Sequence, residues 1–236
     1  MKFRLLWLLL ISVFFSTPTV EGQERQKRKK KEKITQRFAV GLVAGLNTSQ
    51  IDGDYQTGWD KLGISGGIKV ITQLTARLKL NVELLYTEKG SKIRSEVPDF
   101  VLRRPKDRII DIRFIEVPVL FKLVPGAETP LYVEGGFAYG RKISSEIKEN
   151  VTPSTLSTFR DVESEFNSSE FSAVVGFGLF VSEDVSIGTR LVYGLSKFYR
   201  NPELEGERPL FEPLDPTKIK FLRNYAFQVM VAYNIF

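Results

Sequence analysis

No cysteine and no histidine occur in the 236 residues, and methionine and tryptophan occur twice each. Without cysteine there is no disulfide framework and no thiolate nucleophile. Without histidine there is no imidazole metal ligand and no imidazole base. A third absence is a helical membrane span. Met1-Lys2-Phe3-Arg4 leads into an apolar run from Leu5 to Phe15, about 11 residues where a spanning helix needs about 20. The basic start, the short apolar core and Val20-Glu21-Gly22 before Gln23 are those of a secretory signal peptide over 1–22, with a buried N-terminal helix as the alternative.

The net charge of +6 suggests a nucleic-acid or anionic-membrane binder until it is located. Residues 1–33 carry nine Lys/Arg and three Asp/Glu, a surplus equal to that of the whole chain, so the remainder balances at 25 of each sign. Most of the excess lies in Arg25, Lys27, Arg28, Lys29, Lys30, Lys31 and Lys33. Behind a secretory leader such a run does not serve nucleic acid. It is expected to form a basic periplasmic tail over 23–36, either merely solvated or in contact with anionic lipid or a periplasmic partner.

From Arg37 to Phe236, eight stretches alternate apolar and polar residues at period two. The third sets Leu78, Leu80, Val82, Leu84 and Tyr86 against Arg77, Lys79, Asn81 and Glu83. The gaps near 47–61, 88–108, 141–169 and 199–221 are long, and those near 73–76, 123–129 and 182–184 are short. Long connections confined to one side suit a barrel threaded through an outer membrane. Residues 37–236 are therefore expected to be all-β, an eight-stranded antiparallel up-and-down transmembrane β-barrel with short periplasmic turns and long extracellular loops. The fourth stretch is the least regular. Ile115, Val117, Val119 and Phe121 share a phase, but upstream Asp111 and Arg113 fall on it while Ile110 and Ile112 fall on the other. A strand projecting above the membrane, or a bulge near Phe114, accounts for this, and Pro118 removes one ladder donor.

A soluble barrel also alternates, with its polar phase in water. Here the polar phase is dominated by Gly, Ser and Ala, which suits the cramped interior of an eight-stranded barrel. Aromatics fall at both expected interfaces: Tyr86, Tyr139, Phe171, Tyr193 and Tyr225 near the outer rim, and Phe38, Phe121, Phe180, Tyr233 and Phe236 near the inner one. With bulk toward lipid, Lys69, Lys79, Glu83, Glu116, Lys122, Glu134 and Arg190 point inward. The network expected from Lys69, Glu83, Glu116, Glu134 and Arg190 is structural, since an unpaired ion in a narrow barrel costs several kcal/mol. Acid–base catalysis and a narrow proton or ion path are the alternatives.

Several fragments carry a family resemblance. They are Gly41-Leu-Val-Ala-Gly45-Leu-Asn47, Glu83-Leu-Leu-Tyr-Thr-Glu-Lys-Gly90, Ile115-Glu116-Val-Pro118, Tyr132-Val-Glu-Gly-Gly136 and the closing Tyr233-Asn-Ile-Phe236. In this order and spacing they resemble the PorT-like outer-membrane β-barrel family of Gram-negative bacteria, over 38–236. The resemblance implies a generic barrel, with an accessory role in type IX-like secretion as the family's namesake function. The last strand resembles the C-terminal signal read by the barrel-assembly machinery, one residue out of phase at Phe236.

Outer-membrane phospholipases, lipid A deacylases and omptin-type proteases rely on a histidine base, which this chain lacks, and no recognisable nucleophile motif replaces it. The function expected is a non-enzymatic structural or interaction barrel in the cell outer membrane with a salt-bridged, closed lumen. An accessory of a secretion or envelope-assembly machine and a small pore are the alternatives. No catalytic residue, cofactor or metal site is identified. Expected partners are outer-membrane lipid and lipopolysaccharide, the barrel-assembly machinery, and an envelope or secretion protein at the loops, with no nucleic acid. Leu210, Phe211 and Leu214 in the 199–221 loop and Phe100-Val-Leu in the 88–108 loop are apolar patches suited to covering the mouth or docking a partner.

Overall fold

The structure is a computed structural model that describes residues 38–53, 58–94, 107–126, 129–150, 163–201 and 220–235. Nine strands follow in order: β1 (Phe38–Asp52), β2 (Lys61–Gln73), β3 (Leu78–Arg94), β4 (Asp107–Leu123), β5 (Leu131–Asn150), β6 (Ser169–Phe180), β7 (Val185–Gly194), β8 (Tyr199–Arg200) and β9 (Phe221–Asn234). Neighbours from β1 to β7 pair antiparallel, and β9 pairs with β7 on one side and β1 on the other. Eight strands thus close into a ring, which leaves no free edge. The ninth, β8, is a two-residue strand that pairs Tyr199 with Leu222 at the start of β9.

Which phase faces out is settled by exposure. Phe38, Leu46, Leu62 and Phe177 are 65–71% exposed, whereas Lys69, Glu83 and Glu116 are 2% exposed. That is the reverse of a water-soluble barrel and is the sorting a lipid-facing surface imposes. The tight turns sit at the opposite end from the long loops. Thr75 Oγ1 accepts from the Leu78 N–H at 3.0 Å, and Ser182 Oγ accepts from Val185 N–H at 3.1 Å.

Three expectations are corrected in detail. First, the strands run further than the sequence pattern suggests. β3 and β4 remain paired out to Arg94–Asp107, and β5 has 20 residues, about twice what spans a bilayer at a tilt of about 45°. In β4 the inverted alternation marks the projecting strand expected there, but in β3 and β5 the extension falls in stretches read as loops. Ile110, Ile112 and Phe114 stay on the inward phase of β4, while Asp111 and Arg113 face out into water. Second, the bulge expected near Phe114 is present, but its extra residue is in the partner. Arg113 pairs with Ser144 and Phe114 with Lys142, leaving Ile143 of β5 unmatched. Third, Phe180 is on the inward phase and does not join the inner aromatic belt. Its ring packs 5.2 Å from that of Tyr132. Pro118 has the effect expected of it, for the β3–β4 ladder is interrupted between Val82–Val119 and Leu85–Glu116.

Candidate functional site

The interior is built in tiers. In the lower tier Arg190 of β7 extends across the lumen. Its Nη1 and Nη2 donate to the two carboxylate oxygens of Glu83 at 2.7 and 2.8 Å, and its Nε donates to Glu134 Oε1 at 2.6 Å. The other oxygen of Glu134 lies 3.5 Å from Lys122 Nζ, and the same amine sits 3.8 Å from the Tyr132 ring centroid. Glycine makes the room. A Cβ on Gly176, which faces Arg190 in the β6–β7 register, would stand 3.1 Å from the arginine Cγ and 3.3 Å from Glu134 Cγ. A Cβ on Gly178 would stand 2.5 Å from the Tyr132 hydroxyl, and Gly188 is in the same relation to that hydroxyl.

In the upper tier the fully buried ammonium of Lys89 donates to Glu116 and, at 2.8 Å, to Glu170 Oε1. Ser172 Oγ also donates to Glu170 Oε1 at 3.0 Å, and the Asn224 amide donates to Glu170 Oε2. Beside it, Asn47 Nδ2 donates to Ser65 Oγ at 2.9 Å.

Above this polar section lies an apolar cluster of Ile51, Ile110, Ile112, Phe114, Ile147, Phe166, Phe198, Tyr199 and Leu222. Phe166 and Phe198 meet edge to face at 5.1 Å. The segment 196–200 is held inward by Phe198 N–H to Leu222 O, 3.0 Å, and by Asn167 N–H to Phe198 O, 2.6 Å. At the opposite end a cavity of about 520 Å³ opens between the turns. Lys79 and Phe180 are among its walls, with the Lys79 amine 5.3 Å from the Phe180 ring centroid.

A model of the outer membrane protein beta-barrel domain matches residues 22–200. The chain belongs to that family. Solved structures similar to this outer-membrane barrel include Ail of Yersinia pestis in complex with the heparin analogue sucrose octasulfate, at 11% identity and a TM-score of 0.43, covering 85% of this chain and 100% of that one. Neisserial surface protein A, NspA, is similar at 11% identity and a TM-score of 0.42, covering 84% and 97%. The N-terminal β-barrel domain of Pseudomonas aeruginosa OprF is similar at 9% identity and a TM-score of 0.35, covering 84% and 98%. A search of curated protein sequences gave no match.

Of the five lumen residues singled out from the sequence of this outer-membrane barrel, Glu83, Glu134 and Arg190 meet directly. Lys69 stands opposite Glu83 in the β2–β3 register. Its side chain runs instead over Gly41, where a Cβ would be 2.7 Å from Lys69 Cε, and it makes no ion pair among the described residues. Glu116 joins none of the other four and belongs to the upper tier. Two members of that tier, Lys89 and Glu170, are missing from the sequence reading: Lys89 falls in the gap near 88–108, and Glu170 lies between the gap near 141–169 and the alternation that begins at Phe171. The inward phase of β3, which carries Lys79 and Glu83, continues to Lys89, and that of β6 begins at Glu170. The basic tail, Arg25, Lys27, Arg28, Lys29, Lys30, Lys31 and Lys33, lies outside the described residues, as do Leu210, Phe211, Leu214 and Phe236.

The lumen carboxylates Glu83, Glu116, Glu134 and Glu170 are each held by a cation. Among the described residues no group of three or more carboxylates is placed to hold a metal ion. Outside the membrane-spanning part, Lys148 holds the Glu146 carboxyl below the usual carboxylate range through a hydrogen bond and its charge. Burial pulls the Lys142 amine below its ordinary value. That amine donates to Phe166 O at 3.0 Å, beneath the apolar cluster.

Proposed function

We propose that the protein is a non-enzymatic structural and interaction barrel whose lumen is closed and whose outer loops engage a partner. The observation that carries the reading is the Arg190–Glu83 pair with Glu134 beside it, together with the separate Lys89–Glu116–Glu170 group and the apolar cluster above them. A conducting path would need these side chains to part inside a low-dielectric wall, at several kcal/mol per uncompensated ion. The same pairings argue against catalysis, since a base needs a free lone pair near its operating pH. The test is planar-bilayer recording with the refolded barrel. No stable openings are expected, and reproducible single-channel steps would establish the small pore instead.

The narrower reading, a PorT-like member exported by its leader in a Gram-negative cell, is supported by the ordered fragments from Gly41-Leu-Val-Ala-Gly45 to Tyr233-Asn-Ile-Phe236. Under it the barrel assists secretion or envelope assembly, with the basic tail on the periplasmic side. A deletion strain that exports its surface proteins at the parental level would remove this role and leave the structural one standing.

A further inference from the structure

The two flanks of the outer rim are charged differently. From β2 to the upper part of β5, Lys61, Arg113 and Lys148 lie beside carboxylates, and Lys92 of β3 is the exception with no ion pair among the described residues. Lys61 lies 3.1 Å from Asp111, Arg113 is within 3.9 Å of Glu88, Asp111 and Glu146, and Lys148 is 3.0 Å from Glu146. From the lower part of β5 round to β9, Arg141, Lys197 and Arg223 have no ion-pair partner among the described residues. Their contacts are neutral: Arg141 Nη1 donates to Ser169 Oγ at 3.4 Å, and Arg223 Nη1 donates to the Tyr193 hydroxyl at 2.8 Å. Lys197 Nζ lies 4.7 Å from the Phe221 ring centroid. Nearby carboxylates accept from neutral hydroxyls and lie beyond ion-pair distance of these three cations. Asp52, opposite Arg223 in the β1–β9 register, accepts from the Tyr225 hydroxyl at 3.1 Å, and Glu163 accepts from Ser145 at 2.7 Å.

Directly beneath these cations runs an outward aromatic row. Tyr139 faces Phe171 across β5–β6, and Tyr193 faces Tyr225 across β7–β9 with ring centroids 4.9 Å apart. Aromatic side chains at the end of an apolar band mark the level of lipid headgroups. Cations at that level that make no ion-pair contact leave donors open to anions of the outer leaflet, and a guanidinium matches phosphate with two parallel N–H donors. Three strand spacings separate β5 from β9, about 14 Å, which is enough to address more than one phosphate on a single headgroup.

We propose that the β5–β9 flank of the outer rim docks the phosphorylated sugar headgroup of an outer-leaflet glycolipid, through Arg141, Lys197 and Arg223. A soluble anionic polysaccharide has the same charge, but it has no reason to need cations seated on the lipid-facing wall just above the aromatic row.

The test is native mass spectrometry of the folded full-length protein in detergent, titrated with bisphosphorylated lipid A and, separately, with its dephosphorylated form. The phosphorylated lipid is expected to be retained. The triple variant R141Q/K197Q/R223Q is expected to lose about a hundredfold in affinity, in line with the attraction of each cation to an anionic surface. The opposite-flank variant K61Q/R113Q/K148Q is expected to keep parental retention. Folding of each variant is read from its shift on an unheated gel. Should the first triple variant not fold, R141K/R223K and the salt dependence of wild-type retention carry the test, since phosphate-directed binding weakens with salt. Equal retention of the dephosphorylated lipid, equal loss in both triple variants, retention indifferent to salt, or tighter binding of a soluble sulfated oligosaccharide would each overturn the proposal.

Discussion

Arg190 and Glu83 face each other from opposite walls of the barrel. β7 is the fourth strand from β3 whichever way the ring is followed, and two parallel hydrogen bonds of 2.7 and 2.8 Å bridge the lumen between them. A cross-lumen fork ties together strands that share no backbone ladder. Arg190→Met leaves Glu83 and Glu134 buried without their shared cation and is expected to lower stability by about 3–5 kcal/mol. Arg190→Lys is expected to recover only part of this, because an ammonium cannot form the fork. Urea unfolding in lipid vesicles, followed by tryptophan emission, measures both.

The upper tier offers a test by compensation. Lys89→Met alone strands Glu116 and Glu170 and is expected to cost about 3–5 kcal/mol. Adding Glu116→Gln and Glu170→Gln removes the stranded charges, and most of that loss is expected to return. Additive losses in the same unfolding assay would show that the three residues do not act as one group.

Gly188 is predicted to be intolerant of any side chain while Tyr132 is present. A Cβ at Gly188 would collide with the Tyr132 hydroxyl, while the nearest backbone atom, Phe177 O, stands 3.2 Å away, so Gly188→Ala is expected to cost about 1–3 kcal/mol by overpacking. Tyr132→Leu in the same chain clears the collision, and the double variant is expected to be more stable than Gly188→Ala by itself. Midpoints of thermal gel-shift curves give the comparison.

A pH prediction comes from the exposed part of β5. The Glu146 carboxyl titrates below its ordinary range because Lys148 hydrogen-bonds to it and attracts its charge. Its pairing therefore helps the folded state above the ordinary carboxylate range and ceases to as pH falls through the depressed value. Lys148→Met is expected to raise the Glu146 midpoint toward the ordinary range, as read from its side-chain carboxyl carbon by NMR.

The sequence exposed the fold wherever lipid does the sorting. Leu78, Leu80, Val82 and Leu84 alternate with Lys79, Asn81 and Glu83 because a charge on the lipid face at mid-depth costs about 2–4 kcal/mol. The inward direction of Glu116, Lys122, Glu134 and Arg190 was legible for the same reason. Beyond the apolar band that constraint ends and the readable pattern ends with it, so Lys89 passed for a loop residue and Glu170, at the very start of β6, was not read as part of the strand. Pairing was less legible still. Lys69 and Glu83 are register neighbours, yet Glu83 turns to Arg190 across the lumen, a choice made by side-chain reach and by the space over Gly176 and Gly41.

The inversion along β4 bears on how the barrel stays in place. Ile110, Ile112 and Phe114 can gather with Phe166, Phe198 and Leu222 only after the strand ends have crossed to the far side of the membrane. Once gathered, they fix Asp111, Arg113, Glu146 and Lys148 around them on the water side. Withdrawal would drag those charges back through hydrocarbon. The cluster is a rivet head, formed on the far side after insertion, and it turns a reversible crossing into a one-way step.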